Sequence, residues 1–291
     1  MTRSPLLGRL RNRTERLRQH RWRMAPYRSP ERHIVLGGAP RSGTTLLRVL
    51  LDRHPDLRAG PETKLFVPAA FNLAWLAEAY HIPVPELEAM RRAAASQAAF
   101  IDAFALRATA AAGRSRWAEK TPQNIRHLSW IMARFPEASI VHVIRDARDV
   151  VCSMREHPDW RWVNGTWQKV LVPRPLAWYA QRWLDDTGAG LARRGEARYA
   201  EVRYEALVAD PVSALRRLCG SLALAEDAAW LDPVAALDDS DAQPTGARRP
   251  DYEGAVIAHS VGRWRRDLSA VDRRHVERLC GPRLRQLGYE P

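Results

Sequence analysis

Residues 37–47 read GGAPRSGTTLL, a glycine turn that packs one cation and three hydroxyls into Arg41, Ser42, Gly43, Thr44 and Thr45. Backbone N–H groups in such a turn converge on one point, and a helix starting there adds positive potential. Residues 40–46 therefore suit a phosphate-like group. Loops that grip nucleoside triphosphates add a lysine for the terminal phosphates and a hydroxyl for magnesium. Here Thr44 stands where that lysine would be, and the nearest cation is Arg41. Its planar fork matches a tetrahedral oxyanion without help from a metal. A tight turn with no ligand is the plain alternative.

A second constellation, VIRDARDVVCS, spans residues 143–153. Arg145 ends an apolar run, at the strand terminus where open α/β sheets bind ligands. Ser153 follows eight residues later on the next helix. Cation and hydroxyl so placed can clamp a second phosphate. Two other readings stay open: Asp146 as the magnesium-holding Asp of a triphosphatase, and Arg145–Asp149 as a surface ion pair.

These residues need a scaffold of strands feeding helices. His33–Gly38 is a short apolar run into glycines, and the LLRVLLDRHP after Thr45 has helical spacing stopped by Pro55. Ser139–Ile144 reads as a strand and Asp146–His157 as a helix closed by Pro158. Tyr199–Tyr204 reads as a further strand, followed by a helix that Asp210 caps with Pro211 in its first turn. Strands alternating with helices imply an α/β fold, a central parallel sheet with helices on both faces, of the P-loop nucleotide-binding kind. Residues 65–115 are Ala-rich and expected to be a helical insertion on the sheet edge. Residues 225–256 read as a mobile surface segment, and Ala270–Leu287 as a closing amphipathic helix.

A chain of 291 residues can bury a sizeable core. It has no apolar run of the roughly 20 residues that span a bilayer, and no leader-like apolar segment. Cys152, Cys219 and Cys280 lie far apart without metal-ligand spacing, so no metal site is expected and a cytoplasmic setting fits. Of the net charge of +13, residues 1–32 carry ten Arg against two Glu, a surplus of eight. We read 1–32 as a basic extension and 33–291 as the folded domain. Leu6, Leu10 and Leu17 suggest that residues 1–30 could touch an acidic membrane weakly; a solvated, partly disordered tail is the other reading. Five of the eleven Trp fall between residues 160 and 183. Trp178 and Trp183 have helical spacing and read equally well as core and lid packing or as pocket lining. Trp160, Trp162 and Trp167 fall in an expected loop and are candidates for an acceptor pocket.

PRSGTTLL together with VIRDARDVVCSM resembles the sulfotransferases that use 3′-phosphoadenosine 5′-phosphosulfate (PAPS). GGAPRSGTTLLRVLLDRHPDLRAGPETK is most similar to the tyrosylprotein sulfotransferases and their bacterial relatives. EKTPQN, VRYEALVADP, SVGRW and the terminal LGYEP continue the likeness to residue 291. The resemblance implies that Arg41, Ser42, Gly43, Thr44 and Thr45 hold the 5′-phosphosulfate, with Arg41 also stabilising transition-state charge. It implies Glu62 as general base, Lys120 at the bridging or sulfuryl oxygens, and Arg145 and Ser153 on the 3′-phosphate. Tyr204 would contact the nucleotide, and Arg263 would take a phosphate-binding place. PAPS would be the co-substrate, with no metal. The acceptor would be a phenol, a peptide tyrosine, or a sugar or lipid alcohol. Glu119 reads as structural, Glu62 could instead start a helix, and Lys120 could be a surface cation. Pro61 stands where the tyrosylprotein enzymes carry another acidic residue. The expected partners are that hydroxyl acceptor and a second copy as a homodimer, with no nucleic acid. A P-loop kinase or triphosphatase, and a basic nucleic-acid-binding protein, are the rival classes.

Overall fold

The computed structural model describes residues 5–163, 166–227, 229–231 and 260–290. Its centre is a five-stranded, all-parallel sheet of β1 (Ile34–Gly38), β2 (Leu57–Ala59), β3 (Arg116–Lys120), β4 (Ser139–Ile144) and β7 (Tyr199–Arg203). The spatial order is β2-β3-β1-β4-β7. After β1 the chain runs to one side for β2 and β3, then returns to the other for β4 and β7. The direction reverses at β1, where ligands gather in open α/β sheets. Every residue of β1 and β4 is buried, as a sheet covered on both faces requires.

Strand alternation divides the core. On one face Val35, Trp117 and Ile140 join Phe66, Phe100, Phe104 and Phe135. Ile34, Leu36, Ala118, Val141 and Val143 point the other way, against Leu47, Leu50 and Leu51 of α2 (Thr44–Asp52) and Leu215 of α10 (Pro211–Leu222). The first face is roofed by α3 (Leu73–Tyr80), α4 (Val84–Ala93) and α5 (Gln97–Ala111). The Ala-rich stretch thus covers one face of the sheet over the edge strand β2 and its neighbour β3. Ala105 and Ala108 are small enough for α5 to lie close over the sheet.

The expected strands and helices around β1, β4 and β7 form within a residue or two, Asp210 capping α10 by accepting from Ser213 N. A 3-10 turn (Pro122–His127) and α6 (Leu128–Arg134) join β3 to β4, and α7 (Ala147–Glu156) follows β4. The expected loop around the tryptophans is instead an antiparallel hairpin, β5 (Asp159–Val163) with β6 (Thr166–Val170), in which Trp162 pairs with Trp167 and Trp160 with Lys169. On α8 (Leu176–Leu191) Trp183 is fully buried, but Trp178 is 41% exposed with the Arg174 guanidinium 4.3 Å above its ring. Trp178 is therefore not core packing. Short α9 (Tyr204–Ala209) follows β7, and α11 (Trp264–Asp267) and α12 (Ala270–Gln286) close the chain. Of the segment 225–256, Trp230 and Leu231 are buried in the α2–α10 core, contrary to the surface expectation. Residues 232–256 lie outside the described residues.

Residues 1–32 are not simply a solvated tail. Helix α1 (Pro5–Met24) is exposed from residue 14 to 21, but its end docks on the domain. Trp22 Nε1 donates to Ala94 O at 3.0 Å, and Arg23 Nη2 to Phe66 O at 2.9 Å. Tyr27 OH donates to Asp102 Oδ2 at 2.7 Å, and Asp102 Oδ1 lies 2.8 Å from His33 Nε2.

Candidate active site

All five parallel strands deliver a singled-out residue at their carboxyl ends. Along the sheet these are Glu62 after β2, Lys120 ending β3, Arg41–Thr45 after β1, Arg145 after β4 and Tyr204 after β7.

The glycine turn is strained where it must present N–H groups. Arg41 has φ 70° and Gly43 φ 92°, both left-handed. For Arg41 this costs about 1–3 kcal/mol, a strain of the kind that collects at ligand clamps. Gly43 admits no side chain, because a Cβ there would lie 2.2 Å from the Tyr204 ring. Thr44 opens α2, and Ser42 is buried with its Oγ lacking any hydrogen-bond partner. A buried, unpartnered hydroxyl inside an N–H cradle fits an anion's oxygen.

Arg145 is 5% exposed and lies 4.1 Å over the Tyr204 ring. Its Nη1 donates to Arg41 O at 3.1 Å and its Nη2 to Ser260 O at 2.5 Å, while Nε is buried without a partner. Arg41 Nε donates to Ser153 Oγ at 3.0 Å, so the turn and α7 meet directly. Arg145 and Asp149 do approach to 4.0 Å, but buried, not as a surface pair. Burial pushes the Asp149 carboxyl up, and N–H bonds from Trp264 and Gly262 pull against it. Those bonds, 3.0 and 2.8 Å, moor the C-terminal segment on the arginine motif. Asp146 accepts from Arg148 N at 2.8 Å and pairs with the Arg148 guanidinium at 2.8 Å, so it is engaged in capping α7. Among the described residues no group of acidic, His or Cys side chains could hold a metal ion.

At the other end, Lys120 is buried and its Nζ lies 2.5 Å from Glu62 Oε1 and 3.3 Å from Thr45 Oγ1. It is not a surface cation. Glu62 keeps 22% of its side chain open and does not start a helix, since α3 begins at Leu73 with Asn72 as cap. Its turn is held from outside: Tyr80 OH donates to Pro61 O at 2.7 Å and Trp75 Nε1 to Glu62 O at 2.8 Å. Glu119 is fully buried and bonded to Thr63, Thr121 and Asn124.

Arg263 is the outlier. Its Nε bonds Asp267 at 2.5 Å and its Nη2 bonds Glu156 at 2.6 Å, on the flank of α7. Sequence reasoning also passed over Trp75, Tyr80 and Ser260. No motif marks Trp75 or Tyr80, which bond backbone carbonyls, and within SVGRW Ser260 takes part through its own backbone carbonyl, which its residue type does not announce.

Comparison with known proteins agrees with this layout. The pattern of the sulfotransferase family matches residues 33–228. A protein-tyrosine sulfotransferase of Drosophila melanogaster is 27% identical over 277 residues, covering 89% of this chain and 52% of that protein. Nodulation protein NoeE of Sinorhizobium fredii is 28% identical over 278 residues, 87% of this chain and 65% of its own. The chain thus spans between half and two-thirds of the length of these curated relatives. Among solved structures, the sulfotransferase domain of the Synechococcus PCC 7002 olefin synthase superposes with a TM-score of 0.64 at 22% identity, covering 93% of this chain and 99% of that one. A glycine turn with arginine for lysine, a buried arginine motif and a match through most of the domain lead to one assignment: this chain belongs to the sulfotransferase family.

Proposed function

We propose that this chain transfers a sulfuryl group from PAPS to an acceptor hydroxyl. One observation carries the reading: along a single sheet edge, a Glu62–Lys120 pair sits at one end of the glycine turn and a buried Arg145 at the other. The unpartnered Ser42 Oγ and Arg145 Nε fit the two phosphate groups of such a donor. Arg41 to Thr45 would hold the 5′-phosphosulfate, Arg145 and Ser153 the 3′-phosphate, and Tyr204 the nucleotide. Arg263 would first have to leave Glu156 and Asp267. The donor supplies an electrophilic sulfur bonded to a good leaving group.

Glu62 would take the hydroxyl proton as the acceptor oxygen bonds to sulfur and the bond from sulfur to the phosphate oxygen breaks. A positioned base contributes typically ~10²–10⁴-fold. Lys120 Nζ, between Glu62 and Thr45, neutralises charge arriving on the departing oxygen, and Arg41 does so from the turn. In the P-loop kinase reading Asp146 would bind magnesium, and its engagement with Arg148 argues against that.

The test is mass spectrometry of the full chain with isotope-labelled PAPS and an acceptor panel: 4-methylumbelliferone, a tyrosine peptide, a sugar alcohol and a lipid alcohol. Gain of one sulfuryl group on any member is the expected result. Transfer of phosphate from ATP instead, dependent on magnesium, would overturn it.

Three finer readings belong to the same proposal. A cytoplasmic setting is supported by three buried, free cysteines. No helix among the described residues is long and apolar enough to cross a membrane. Contact of residues 1–30 with acidic membrane is supported by exposed Arg16, Arg18 and Arg21 beside Leu17, which is 55% exposed. Vesicle flotation tests it, and sedimentation tests pairing of two copies.

A further inference from the structure

Burying a carboxylate is costly unless it is well bonded, yet β3 places Glu119 at 1% exposure. Its Oε1 accepts from Thr63 N at 3.1 Å, Thr63 Oγ1 at 2.8 Å and Thr121 Oγ1 at 2.6 Å, and its Oε2 from Asn124 Nδ2. These partners are neutral, so the cluster is not an ion pair. Each adjoins a reacting element. Thr63 follows Glu62, Thr121 follows Lys120, and Asn124 Nδ2 also donates to Leu36 O at 3.1 Å, where β1 enters the glycine turn. Strand alternation sends Lys120 to the α2 face, toward Thr45, and Glu119 to the opposite face. One strand end therefore carries the reacting cation on one side and its fastening on the other.

We propose that Glu119 is a positioning residue for the transfer: its carboxylate fastens the Pro61–Thr63 turn to the end of β3, so that Glu62 and Lys120 stay paired beside Thr45. Tyr80 and Trp75 hold the carbonyls of Pro61 and Glu62 from α3, and Glu119 bonds both the turn and the strand end. A misplacement of about 1 Å can cost about 100-fold in rate. The proposal rests on the reading of Glu62 as base.

A double-mutant cycle tests it in the full chain: wild type, Glu119→Gln, Glu62→Gln and the double variant. The readouts are kcat and KM with 4-methylumbelliferone or the fastest acceptor of the panel, affinity for 3′-phosphoadenosine 5′-phosphate, and thermal midpoint. Glu119→Gln keeps the size but turns an acceptor oxygen into a donor facing Asn124 Nδ2. We expect kcat to fall about 10- to 100-fold, within the range for a displaced group, with nucleotide affinity nearly unchanged. In the Glu62→Gln background the same change should cost almost nothing, since coupled groups are not additive. An equal loss in both backgrounds, or kcat and nucleotide affinity falling together, overturns the proposal. Should Glu62→Gln alone turn over like wild type, the base reading has failed and takes the positioning role with it; that single variant identifies the cause. If Glu119→Gln does not fold, Thr63→Val, which removes one hydroxyl from the cluster, enters the cycle in its place with a smaller loss expected.

Discussion

Arg41 and Ser153, 112 positions apart in the chain, are joined by a 3.0 Å hydrogen bond from Nε to Oγ. The turn after β1 and the helix after β4 thus share a contact at the point where the sheet's direction reverses. With Arg145 Nη1 on Arg41 O, the glycine turn and the arginine motif form one unit. Ser153→Ala should weaken binding of 3′-phosphoadenosine 5′-phosphate by roughly one hydrogen bond to a charged group, ~1.5–3 kcal/mol. Calorimetry measures it, and unchanged affinity would remove Ser153 from the site.

Arg145 should discriminate between donors. Adenosine 5′-phosphosulfate lacks the 3′-phosphate, and losing a charge-assisted contact costs ~1.5–3 kcal/mol. The wild type should therefore prefer the full nucleotide by roughly 10- to 150-fold. Arg145→Ala should erase most of that preference. Equal binding of both by wild type contradicts the assignment.

Glu62→Gln keeps size but cannot take a proton. Turnover should drop ~10²–10⁴-fold, with nucleotide affinity and thermal midpoint close to wild type. A structural Glu62 would lower all three together, and turnover near wild type would reopen the choice of base. His127 and Glu119 are then the alternatives, and Glu119 is already saturated with donors.

Gly43→Ala places a methyl group 2.2 Å from the Tyr204 ring on a left-handed backbone. The ring must swing away, which also uncovers the guanidinium of Arg145. Nucleotide affinity should fall roughly 5- to 150-fold, taking ~1–3 kcal/mol for the strained backbone alone. Titration with the bisphosphate product checks it.

Stability should depend on His142. The ring is buried under Gly190 with Nδ1 2.7 Å from the Tyr199 hydroxyl, and burial lowers its pKa from 6.5 to about 4. The unfolded chain then binds the proton more readily than the folded one. Stability is intact above about pH 6.5 and declines as pH falls toward 4, by about 3 kcal/mol at ~1.4 kcal/mol per pH unit. Thermal midpoints at pH 7.5 and 4.5 should differ more for wild type than for His142→Gln.

The turn after β1 and the arginine motif after β4 were legible because apolar runs end in residues that can only be turns or ligands. Strand β3 was not. RWAEK has three charged residues in five, and it lies inside the sheet only because Glu119 and Lys120 find partners 56 to 75 positions away. The hairpin of β5 and β6 was hidden for a related reason. DWRWV alternates, but Trp-rich polar text reads equally well as loop. For Arg263, likeness to a motif outran geometry, since two nearby carboxylates already hold it.

The docking of Trp22 to His33 bears on where the molecule begins as a physical object. Kinship is matched from residue 33, but contacts with the domain start at Trp22. Trp22 closes the aromatic cluster with Phe71 and Phe100, and Arg23 lies 3.8 Å over Trp130. Asp102 divides its two oxygens between Tyr27 and His33. A polypeptide trimmed at residue 33 would strip one oxygen of its donor and wet the roof of the sheet. The seam drawn by homology runs through a hydrogen-bonded joint, and fusion partners or truncations belong upstream of Trp22.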